Sequence, residues 1–451
     1  MADKSFFDIL RADDGFGEQV CSSSRYGGPG GSDGRGLPSG ENWQFAFATG
    51  IECSYPTILG PDGRTLRRDM LEECGHTRHL DDDFRLTREL GLYVLRYGLP
   101  YHVVNPAEGR YDWDFADAAL AGMRRVGITP ILDLLHFGVP DWLGDFQNPE
   151  LPLHFARYCD AVAERYPWVR FYTPVNEIYV TAKSSGLDGA WNERLKTDRG
   201  FVTALKHCAA AAIAGCAAIV RRRPDAVFVT SETAEYTHDL CPSPHEHIKL
   251  ENRLKFVSLD LLYGKQPDAV VYQYLTDNGM TRQEFDWFMQ GEPPGHQIMG
   301  NDYYGRNELI HLPDGTVLSG EDIHGWYAIT KRYYQRYLKP VFHTETNVFA
   351  AAAAPGWLWK QWANVLTMRQ DGVPVIGFTW YSLTDQIDWD IGLAEQRGTV
   401  NPCGLYDLDR KPRPVAAAYR QLIENFGQIT SMAHGEMFEL TRREARLKVE
   451  V

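Results

Sequence analysis

The chain has 451 residues, a formal net charge of −14, and 44% apolar and 24% charged residues. That length supplies an ample buried core, and that composition excludes global disorder. The acidic balance repels phosphate backbones, so nucleic acid is not an expected partner.

The opening MADKSFFDILRADDG has no basic region followed by an apolar stretch, so no secretory signal is expected. Residues 1–41, with their Gly-, Ser- and Pro-rich stretch at 21–41, read as a flexible arm. Strand-like runs then fall at 45–50, 93–97, 129–134, 169–175, 226–231, 296–300, 341–344 and 375–379. Helical patterns lie between them, at 82–90, 115–126, 152–165 and 201–222, and again at 355–370 and 414–425. The most apolar stretch, 208–220, is too short to span a bilayer and reads as a buried helix, so no membrane partner is expected. Residues 429–451 read as a polar tail. Alternation of this kind predicts a parallel sheet, and eight units predict a single-domain (β/α)8 TIM barrel with long βα loops over 42–428. The structural rival is an open doubly wound sheet, but GIEC after the first strand is not its GxGxxG turn.

Cysteines stand at 21, 53, 74, 159, 208, 216, 241 and 403, with no CxxC pair. In a chain this long they read as reduced thiols, and the expected location is cytoplasmic. The segment CGHTRH holds Cys74, His76 and His79 but lacks a fourth zinc ligand, so it reads as a polar loop.

Catalytic groups of such barrels sit at the C-terminal ends of the strands. Those ends carry Arg96, His136, Asn176 with Glu177, Asp302 with Tyr304, Glu345, and finally Trp380, Asp388 and Trp389. Two carboxylates facing each other across one barrel mouth are what glycoside hydrolysis needs, about 5–5.5 Å apart if configuration is to be retained. Arg96 and Tyr304 are placed to stabilise the charge of Glu345. Glu177 needs a raised pKa to remain a proton donor. Asn176 is a candidate for the sugar 2-hydroxyl. Glu232 and Glu235, after the fifth strand, are expected at the rim, and Trp191 either lines the leaving-group side or packs a loop.

These segments resemble glycoside hydrolase family 1 over about 43–427. TPVNEI is similar to the family's T-x-N-E-P, with Ile178 in place of Pro, and TETN to its T-E-N-G. The resemblance implies Glu177 as acid/base and Glu345 as nucleophile of a retaining β-glycosidase. HFGVPDWL, GNDYYG, WYSLTDQIDW and VLRYGLP resemble further family segments. These imply His136 as a sugar ligand, Tyr304 positioning the nucleophile, Asp388 in place of a sugar-binding Glu, Trp389 stacking on sugar, and Arg96 in the site. Tyr381 stands where the family has Trp, unless Trp380 serves instead. The family's Gln near the first strand has no clear match, and Glu52 is the candidate substitute. The implied partner is a small glycoside or oligosaccharide, with no cofactor or metal and with homo-oligomerisation open. Transglycosylation by the same pair, or sugar binding without catalysis, are the alternatives.

Overall fold

The computed structural model describes residues 5–13, 17 and 45–432. The Gly-rich stretch 21–41 and the end of the tail lie outside the described residues. Eight short runs buried on both faces form the strands β1 (Ala46–Gly50), β2 (Val94–Gly98), β3 (Thr129–Asp133), β4 (Phe171–Thr173), β5 (Val227–Val229), β6 (His296–Asp302), β7 (Val341–Glu345) and β8 (Val375–Trp380). Each pairs in parallel with its sequence neighbour. The pairing of β1 with β8 closes the cylinder. The expected (β/α)8 barrel is the fold.

Six helices alternate with the strands where the sequence pattern puts them. A seventh, Gly325–Tyr337, occupies the gap after β6. The longest, Asp198–Arg222, is long and apolar enough to cross a bilayer, but 94% of its most apolar window is buried inside the protein. Its Gly215 lies against Phe155 and Cys159 of the helix Leu151–Arg165, where a Cβ would come within 3.0 Å of both side chains. The final helix, Pro414–Met432, runs past the expected boundary at 428.

Inside the barrel, Ala48, Ile131, Val229, Ile298, Phe342 and Ile376 form a dry plug. Gly377 is needed there, since the Phe342 ring lies 2.2 Å from where its Cβ would stand. The buried polar side chains of the site form a separate cluster, bonded mainly to one another.

One part of the expected arm is not free. Residues Phe6–Ala12 form helix α1, with the Ser5 side chain accepting the Phe7 N–H at its start. Phe6 is fully buried against His207, Trp287 and Phe288.

Candidate active site

Arg96 is the hub. It lies midway along β2 facing inward, almost wholly buried, and its guanidinium donates to Glu345 Oε1, to Asp133 Oδ2 at 2.7 Å and to Asn176 Oδ1 at 2.5 Å. Burial works against its charge, but the Glu345, Asp133 and Asp302 carboxylates outweigh it and hold the guanidinium firmly protonated. Glu345, at the end of β7, accepts a second hydrogen bond from the Tyr304 phenol at 2.6 Å. Burial, with Glu345 and Asp302 alongside, raises the Tyr304 pKa well above that of a free phenol, so it stays a donor.

Glu177 is treated in the opposite way. It ends the turn after β4 with a left-handed backbone (φ 38, ψ 66), fixed by its N–H to Ser231 O at 2.7 Å. Among the described residues, no hydrogen bond reaches its carboxyl. Burial first, then the charges of Asp302, Glu345, Glu232 and Glu235, push its pKa well above the usual carboxylate range. Asp302 stands opposite Glu345 because the β6–β7 register shifts at Asn301/Asp302, a bulge that re-aims the side chain. Burial and Glu345 raise the Asp302 pKa as well, and its two oxygens accept from Ser231 Oγ.

Of the remaining expected residues, His136 and Asn176 join this cluster. The His136 ring nitrogen Nδ1 lies 2.7 Å from Asp133 Oδ2, and Nε2 lies 3.1 Å from Asn176 Nδ2. Trp389 lies at the mouth, its ring 6.0 Å from Phe137 and 6.2 Å from Trp191, with Arg306 5.6 Å above it. Trp191 is itself buried, its indole N–H on Gly392 O, so its packing role is the one observed.

Three expected residues are placed elsewhere. Asp388 is fully buried and already satisfied: Oδ2 accepts from Arg68 Nη2 (3.0 Å) and the Arg397 and Gly398 amides, and Oδ1 from the Thr399 amide. It binds a loop, not the cavity. Trp380 points outward into the barrel–helix core and donates to Cys403 O, while Tyr381 turns inward with its ring 5.7 Å from the Arg96 guanidinium carbon. Glu52 accepts from the Ser54 amide and Gln386 Nε2, and it is Cys53 that lies 3.4 Å from His136 Nδ1. Glu52, the candidate for the unmatched Gln, lies past the end of β1 at Gly50, where strand alternation no longer sets which side chain faces inward. Tyr381 fills the space above Gly50, 2.3 Å from a would-be Cβ.

Asp133 was missed, although a lone acid three residues before His136 in the apolar run ILDLLH was a usable signal. It orients both Arg96 and His136. Glu232 caps the acid-bearing turn by accepting the Tyr179 amide, and burial lifts its pKa to about 7. Glu235 is paired with Lys255. The CGHTRH loop is structural: His76 bridges Asp83 and Tyr97.

Replacing Asp388 with Asn is expected to cost about 3 kcal/mol, the low end for breaking a buried ion pair, because Arg68 keeps Glu73. Urea melts read this cost. The KM for an aryl glycoside is expected to stay within about twofold, since a group that does not touch substrate contributes no binding. A tenfold rise in KM at unchanged stability would return Asp388 to the sugar.

Fold and site together define a (β/α)8 barrel with two buried glutamates, differently surrounded, at its C-terminal mouth. The description Glycosyl hydrolase family 1 matches residues 63–265, from ahead of β2 to beyond β5. The chain is 18% identical to a β-glucosidase from Thermotoga maritima solved with deoxynojirimycin, with a TM-score of 0.70 over 87% of this chain and 99% of that one. The cyclophellitol complex of the T. maritima enzyme gives 17% identity and a TM-score of 0.69 over 86% and 99%. Residues 63–265 are thus similar to glycosyl hydrolase family 1, and the fold of the chain is that of a β-glucosidase-like (β/α)8 barrel. A chloroplastic β-glucosidase-like SFR2 of Oryza sativa subsp. japonica is 22% identical over 391 residues. That stretch is 78% of this chain, and the chain spans only 56% of the rice protein's length.

Proposed function

We propose that the protein is a retaining β-glycosidase acting on a small β-linked glycoside or oligosaccharide. One observation carries the reading: Glu345 receives two strong donors while Glu177 receives none and is ringed by negative charge. A nucleophile needs the first environment and a general acid the second.

Glu345 attacks the anomeric carbon as Glu177 gives its proton to the departing glycosidic oxygen, leaving an ester between sugar and Glu345. Glu177, now ionised, takes a proton from water, whose oxygen displaces Glu345 and releases the sugar with its original configuration. Arg96 holds Glu345 and, through Asn176, the amide set to meet the sugar 2-hydroxyl. With Asp388 turned to its loop and Cys53 facing His136, the sugar-binding floor offers fewer acceptors than the family resemblance implied. The sugar is therefore read mainly by His136, Asn176 and Trp389.

Mixing enzyme with dinitrophenyl β-glycosides in a stopped-flow instrument tests this. A burst of dinitrophenolate equal to the enzyme concentration is expected with the cognate sugar, because glycosylation outruns hydrolysis of the ester. Flat traces across a panel of gluco, galacto, manno, xylo and fuco sugars would leave binding without catalysis.

A further inference from the structure

The loop 239–247, between the strand Tyr236–Asp239 and the helix Glu246–Leu254, gathers oxygen, sulfur and nitrogen donors that the reaction does not use. Asp239, Cys241 and His245 bring a carboxylate oxygen, Sγ and a ring nitrogen all within 4.8 Å of one another. We propose that this loop is a zinc site, ligated by Asp239, Cys241, His245 and, as the fourth donor, His247. It shares no residue with the cluster around Glu177 and Glu345.

The donor set is that of a four-coordinate zinc site, since thiolate and imidazole select Zn2+ over Mg2+ or Ca2+. Tetrahedral bonds of about 2.0–2.3 Å put neighbouring ligand atoms about 3.3–3.8 Å apart. Asp239 Oδ2 and His245 Nδ1 already stand at 3.3 Å. The His247 ring stands 5.2 Å from that of His245, which makes it the proposed fourth donor.

The ligands are also held from behind. Asp239 Oδ1 accepts the Cys241 amide at 3.1 Å and Oδ2 the His245 amide at 2.6 Å, which orients the carboxylate as supporting hydrogen bonds do around metals. Those amides hold Asp239 ionised, its pKa lowered to about 2. Asp239 is further anchored by parallel pairing with His311, whose carbonyl accepts the Leu240 amide.

A second cluster, Cys53, Asp133 and His136, meets the same distance test. There Arg96 already neutralises Asp133 and would repel a cation, so the barrel cluster is not the site.

The test uses full-length protein without a polyhistidine tag, stripped with chelator and titrated with Zn2+ and, separately, Co2+. One tight equivalent of zinc is expected. Co2+ is expected to give a thiolate charge-transfer band in the near ultraviolet. Cys241→Ser should abolish that band, and His245→Ala should weaken zinc binding at least tenfold, with both variants melting like the stripped wild type. The proposal fails if no equivalent binds tightly, if both variants bind like wild type, or if the band survives in Cys241→Ser and disappears in Cys53→Ser.

Discussion

Glu345→Gly is expected to lower turnover on the order of 10⁴–10⁶-fold, the scale of loss when a covalent nucleophile is deleted. The backbone of β7 stays paired on both sides, and Arg96 keeps Asp133 and Asn176 as partners, so the pocket outlives the side chain. Added azide can occupy the space left beside Arg96 and Tyr304. It attacks the anomeric carbon from the face Glu345 used, with Glu177 still donating its proton. A single displacement inverts configuration, so the product from an activated β-glycoside is the α-glycosyl azide. Nuclear magnetic resonance of the anomeric proton identifies it. A β-azide here would mean that the two glutamates hold each other's role.

Glu177→Ala separates substrates by leaving group. Without a proton donor, glycosides of poor leaving groups are expected to lose about 10²–10⁴-fold in kcat/KM, the worth of general acid catalysis. Dinitrophenyl glycosides need no proton and are expected to form the glycosyl-enzyme at near wild-type speed. That ester then accumulates, and azide entering from the side Glu177 occupied releases the β-glycosyl azide. The pH profile supplies a second reading. Buried among Asp302, Glu345, Glu232 and Glu235, Glu177 has a raised pKa, so the alkaline limb of kcat/KM lies above the usual carboxylate range. That limb is expected to vanish in the variant. Stability follows the same sign: the neutral acid's contribution is whole below its unfolded pKa and fades as pH rises through the folded one. Glu177→Gln is expected to remove that fade in urea melts taken from the usual carboxylate range upward, and an unchanged fade would contradict the raised pKa.

The barrel was legible because its strands are apolar on both faces and its helices are periodic, a pattern that survives divergence to 18% identity. Arg96, Asn176, Glu177, Tyr304 and Glu345 were legible because each lies in a short motif in the second half of a barrel strand or in the turn after it. What failed was orientation where regular structure stops. Glu52 lies two residues past the end of β1, where period-two counting no longer holds. Trp380 and Tyr381 are adjacent, so one must face out, and composition cannot say which. Asp388 needed knowledge of Arg68, 320 positions away, and of the three amides that claim its oxygens. Long-range charge pairing leaves no local trace in sequence.

Helix α1 has a practical bearing on how the protein is handled. Ser5 donates to Glu284, which Lys206 also grips, and Phe6 fills a slot between the long helix Asp198–Arg222 and Trp287. Trimming the gene to the barrel, from residue 42 onward, would delete this plug and open a greasy hole on the outer wall. Such a shortened product invites clumping during purification for reasons unrelated to the chemistry at the mouth. Fusion partners joined ahead of Ser5 leave the seal in place.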